Sequence, residues 1–164
     1  MADLVDVIRT SVRAQMADQH ATLRKIVSDL DTTALDWHPG PDTSSIGQLV
    51  AHAMETEIFL TRTSLDQTIA RDRAAAFAVG ETSSEHLAGL IDEAEREVDE
   101  LLGTLTEASL AHDVTRTILA GPSTRTGLGW LLLAATHTRE HIGHAALTRQ
   151  MWEMQASSGN TRTQ

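Results

Sequence analysis

Apolar residues recur along this chain at intervals of three and four, the spacing that gathers side chains onto one face of an α-helix. Four such segments can be read. The first covers about residues 2–30, with Leu4, Ile8, Val12, Met16, Leu23, Val27 and Leu30 in its stripe and His20 among them. The second starts after Ser44 or Ser45, either of which can cap it, and runs through Ile46, Leu49, Ala53, Phe59 and Leu60 to about residue 70. The third opens at Thr82-Ser83-Ser84-Glu85, a capping-box pattern, and continues through Leu87, Leu90, Ile91, Ala94, Val98 and Leu101 to Leu105. The fourth begins near residues 124–126 and ends at about residue 155, with Gly127 and Gly129 weakening its first turns.

The segments between are breakers. Trp37-His38-Pro39-Gly40-Pro41 cannot continue a helix, and residues 106–123 form a long link that ends in Ala120-Gly121-Pro122. Links of this length let helices join without being hairpin neighbours. With no repeat and no strand-rich stretch, the pattern predicts an all-α bundle over residues 1–155 and a polar, disordered tail over residues 156–164.

Composition narrows the partners. A chain of 164 residues is long enough to bury a real core. It has no cysteine, which excludes disulfides, thiolate nucleophiles and Cys-based zinc sites. A net charge of −10 argues against nucleic acid as a partner. No apolar run approaches a membrane span, and the acidic, amphipathic start does not resemble a signal peptide, so a cytoplasmic protein is expected. Lys25 is the single lysine beside many arginines, a bias that points weakly to a GC-rich coding sequence.

The candidate chemistry lies in His137-Thr138-Arg139-Glu140-His141. Imidazoles four apart on a helix project from one face, one turn apart, and can reach one metal ion. Trp130, Leu133, Ala134, Ala145 and Met151 fall on the same side of the wheel, so the pair belongs to the apolar stripe. A buried, unsatisfied imidazole costs on the order of 1–3 kcal/mol, and inward acids are few, which favours a metal over separate hydrogen bonds. His144 shares the face, but it stands about 10 Å along the axis from His137, too far for both to bind one ion. A third ligand should therefore come from another helix. His52, with Leu49, Thr56, Phe59 and Leu60 on its side, is the best candidate.

Three motifs in order, Trp37-His38-Pro39, the capped Ser45 to His52 helix entry, and His137 to Gly143 as His-x3-His-x-Gly, resemble the DinB/YfiT-like superfamily over roughly residues 5–152. That family includes bacillithiol- and mycothiol-dependent S-transferases and maleylpyruvate isomerase. The resemblance implies a four-helix bundle, commonly a homodimer, holding a divalent metal, zinc or nickel, through three histidines. Carried over by position, these ligands are His52, His137 and His141. His144 occupies a neighbouring place, with a structural, outer-shell or substrate-contact role rather than that of a fourth ligand.

Blander roles stand beside these. His137, His141 and His52 can each be satisfied core histidines. His20 can line the same cavity, though a buried, hydrogen-bonded role accounts for it more simply. Glu55, one turn after His52, is either an outer-shell acceptor or a solvated carboxylate. The acids from Asp92 to Glu100 read as a solvent face, Trp37 as a cover for the bundle end, and His38, His86 and His112 as surface residues. Met16, Met54, Met151 and Met154 read as core or dimer packing.

The leading expectation is a metal-dependent enzyme in which a zinc-type ion activates a low-molecular-weight thiol, mycothiol-like, for S-transfer to an electrophile or for isomerisation. The thiol comes from the resemblance and not from composition. Two other uses of the same site stay open: a non-catalytic metal-binding or stress-response bundle, and metal-dependent hydrolysis. A ferritin-like di-iron centre is disfavoured because no Glu-x-x-His occurs.

Overall fold

Four long helices, α1 (Leu4–Val27), α3 (Ile46–Ser64), α4 (Ser84–Gly103) and α6 (Gly127–Asn160), form a four-helix bundle in the computed structural model, which describes residues 3–68, 82–118 and 121–160. Two short helices, α2 (Thr32–Leu35) and α5 (Glu107–Ala111), and a hairpin of β1 (Asp113–Ile118) and β2 (Gly121–Thr126) occupy the connections. The most extensive helix–helix interface joins α3 to α6.

Helix starts are set by side-chain caps. Of the two candidate serines, Ser45 caps α3: its Oγ accepts from Gln48 N at 3.3 Å while Gln48 Oε1 accepts from Ser45 N at 3.1 Å. At α4 the cap is Ser83, one residue later than the expected Thr82-to-Glu85 box, with Oγ accepting from His86 N at 3.1 Å. Thr82 is instead drawn into the core, 2% exposed, over Gly47, where a Cβ would lie 2.7 Å from the threonine methyl. Glu85, hydrogen-bonded to its own backbone and to Ser83, has its carboxyl held below the ordinary range. At the far end of α1, Arg149 of α6 donates to the carbonyls of Lys25, Ile26 and Ser28 at 3.0, 2.8 and 3.2 Å, answering acceptors that a helix C-terminus leaves open.

The apolar stripes close into two clusters. One gathers Leu23, Leu35, Ile46, Val50, Met54, Leu87, Ile91 and Ala145; the other gathers Met16, Phe59, Leu60, Val98, Leu102, Trp130 and Ala134. Between them lies a polar layer: Gln19 and His20 on α1, Thr56 and Glu57 on α3, and the residue 137–141 segment of α6. The functional candidates sit at this waist.

Several expectations are corrected. Leu4 of the first stripe is 70% exposed and Val5 is buried instead, because Val5, three before Ile8 and seven before Val12, holds the inward position of the first turn. Of the methionines expected in core or dimer packing, Met16 and Met54 are in the core, while Met151 and Met154 are exposed and so are not core residues. The stretch without strands does contain a hairpin, with Asp113 opposite Thr126 and Ile118 opposite Gly121. Thr115 and Thr124 hydroxyls meet across it at 2.7 Å, and Trp130 Nε1 donates to Val114 O at 2.9 Å, tying the hairpin to α6. The helix expected to stop near residue 155 continues to Asn160, and the second segment, expected to reach about residue 70, ends at Ser64; residues 161–164 and 69–70 lie outside the described residues.

The acidic run on α4 is a seam of ion pairs as well as a solvent face. Arg24 meets Asp92 at 2.6 Å and also Glu95, Arg62 meets Glu97 at 2.6 Å, and Arg13 meets Asp99. Burial works against the Arg24 charge, but hydrogen bonds to Asp92 and Glu95 outweigh it and hold its pKa above the ordinary value. Trp37 packs at the bundle end against Trp152, with ring centroids 5.8 Å apart.

Candidate metal centre

His52 enters the site from α3, where Leu49, Thr56, Phe59 and Leu60 all turn inward, and it is 3% exposed. His137 and His141 come from successive turns of α6 and are half-buried. Each of the three offers one ring nitrogen, and these nitrogens all lie within 4.8 Å of one another. The ring centroids form a tight triangle of 5.3, 4.9 and 4.4 Å. Sequence spacing placed two imidazoles on one helix, and the α3–α6 packing brings the third to meet them.

The donor set suits a divalent ion. Tetrahedral bonds of about 2.0–2.1 Å to nitrogen require donors roughly 3.3 Å apart. His137 Nε2 and His141 Nε2 stand 3.2 Å apart, so both lone pairs can converge on one cation. Three imidazoles with no thiolate or carboxylate among them match a site that keeps a coordination position open.

The surroundings orient His52. Thr56 Oγ1 donates to Glu55 Oε2 at 3.2 Å and lies 3.4 Å from His52 Nδ1, a long hydrogen bond. This contact suits the tautomer in which Nδ1–H donates to the hydroxyl, and in that tautomer Nε2 is the nitrogen that would ligate. Glu55 thus touches the site by way of Thr56. His144 lies beside the centre at the surface, its ring 5.8 Å from that of His141, outside the set of three.

His20 belongs to a different group. It is 1% exposed, and its Nε2 lies 2.7 Å from Glu57 Oε1, a carboxylate that is itself fully buried. Glu57 Oε2 accepts from Thr138 Oγ1 at 2.6 Å. Sequence reasoning missed Glu57 and Thr138. The signal was present, because Glu57 falls three after Met54 and three before Leu60, an acid within an apolar stripe.

An all-α bundle whose second and last long helices share a three-histidine cluster of metal-binding geometry is the class that fold and site define. The model of the DinB superfamily matches residues 15–145, which include all three histidines, and the chain belongs to that superfamily. A DinB-like protein from Bacillus subtilis is similar in structure, with a TM-score of 0.66 at 15% identity over 86% of this chain and 91% of that one. A conserved protein from Enterococcus faecalis gives a TM-score of 0.68 at 13% identity over 92% and 97% of the two chains. The mycothiol-dependent maleylpyruvate isomerase gives 0.62 at 14% identity, covering 87% of this chain and 62% of the isomerase. These likenesses are of fold. No curated protein sequence matches the chain.

Proposed function

We propose that His52, His137 and His141 hold one divalent ion, zinc or nickel, and that the protein is an enzyme using a low-molecular-weight thiol for S-transfer or isomerisation. The convergence of three imidazoles from two helices carries this reading. A bound ion of this kind supplies Lewis-acid activation of a thiol or water. The chain contributes the rest: Thr56 and Glu55 turn His52 towards the centre, and the half-buried α6 pair leaves an approach for substrate. With no cysteine in the chain, a thiol nucleophile has to arrive as a cosubstrate. Structural likeness to a mycothiol-dependent isomerase supports a mycothiol-like thiol.

The same reading places the protein in the cytoplasm as a homodimer. Support for the dimer comes from Leu147, Met151 and Met154, exposed at 56%, 40% and 69% on one stripe of α6. No described helix is long and apolar enough to cross a membrane.

The test is metal analysis of protein purified without chelator, followed by a thiol-consumption assay with a reactive electrophile. The expected result is close to one ion per chain and turnover that disappears in His52→Ala and His141→Ala. Ion uptake with no turnover across a panel of thiols would leave a metal-binding bundle, and turnover without thiol would indicate hydrolysis.

A further inference from the structure

We infer that Glu57, locked between His20 and Thr138, is a positioning residue for the metal centre: it fixes α6 against α3 so that His137 and His141 face His52. This inference rests on the metal reading above. Thr138 directly follows His137 on α6, and Glu57 lies little more than one turn beyond His52 on α3. The 2.6 Å bond from Thr138 to Glu57 therefore crosses the interface at the level where the ligands meet. A shift of α6 by one residue is about 1.5 Å of rise and 100° of rotation, enough to break this bond and turn the ligand pair away.

Glu57 is itself held from the third side. His20 of α1 meets its other oxygen at 2.7 Å, and neighbouring Gln19 donates from Nε2 to Ala135 O of α6 at 2.9 Å. All three members of the lock are closed to solvent, with His20 at 1%, Glu57 at 0% and Thr138 at 0% exposed. A buried ionisable pair adds little to stability compared with apolar residues of the same volume. What it adds is a unique geometry, because a displaced carboxylate has no water to turn to. Apolar layers on either side, around Met54 and Leu60, could slide or rotate at lower cost.

The test compares Thr138→Val, which removes the hydroxyl, with Thr138→Ser, which restores it, and with Ile91→Val, a buried change on α4 away from the lock. Zinc affinity is read by competition with a chelating dye, and His52–His141 ring-proton contacts are read by NMR in metal-free protein. Thr138→Val is expected to bind zinc about 10-fold more weakly and to lose the ring contacts. Thr138→Ser and Ile91→Val are expected to keep both. Wild-type affinity with intact ring contacts in Thr138→Val overturns the inference, as does a loss in Thr138→Ser equal to that in Thr138→Val. If the wild type takes up no zinc, the metal reading falls, and the ring contacts alone still decide whether Glu57 and Thr138 set the cluster. Should Thr138→Val fail to fold, Thr138→Ala, which leaves room for a water beside Glu57, carries the same comparisons.

Discussion

Thr56 is a hydroxyl partner of His52 Nδ1. Its hydroxyl stands between the Glu55 carboxylate and His52 Nδ1, at 3.2 and 3.4 Å, and it is 4% exposed, so solvent cannot replace it. Removing such an outer partner typically costs 10–100-fold in metal affinity. We expect Thr56→Val to bind zinc about 10-fold more weakly than wild type in a dye-competition titration. An unchanged affinity would mean that packing alone sets the His52 ring.

At the scale of elements, the start of α6 is the place where backbone geometry matters most. Gly127 opens the helix directly after β2, and its N–H donates to His112 O at 2.9 Å. A Cβ there would collide with the carbonyl oxygens of Ser109 and Ser64, so the residue is glycine to let three segments of backbone approach. Gly127→Ala is expected to cost about 1–3 kcal/mol in urea denaturation, because backbone must move to admit the methyl group. A neutral result would show that α5 is free to shift. The same helix carries two of the three clustered histidines at its middle and caps α1 through Arg149 towards its end, which makes its placement the condition for the site.

For the molecule as a whole, the bundle was legible in the sequence because apolar residues recur at helical spacing, and Ile46, Leu49, Ala53, Phe59 and Leu60 are all buried as that spacing requires. The hairpin was not legible. β2 is Gly-Pro-Ser-Thr-Arg-Thr with no apolar residue to alternate, and only Val114 of β1 is fully buried. The three histidines could be named because two share a helix face, the apolar neighbours of His52 turn it inward, and the resemblance puts a ligand at the same position. Glu57 escaped although its place in the stripe marked it as inward, because its partners, His20 and Thr138, lie on other helices and cannot be read from local spacing. Linkage gives a test at this scale: an ion that binds only the folded chain adds about 2.7 kcal/mol at 100-fold excess over its Kd. Zinc is expected to raise the melting temperature, and a chelator to reverse the rise. No shift at saturating zinc would mean that the waist of the bundle does not bind it.

The central claim, that imidazoles from α3 and α6 converge on a single cation, is tested most directly by X-ray absorption at the metal edge of the zinc- or nickel-loaded protein. We expect three imidazole nitrogens at about 2.0–2.1 Å in the wild type and two in His52→Ala. A spectrum of oxygen ligands only, or one unchanged by the His52 substitution, would contradict it.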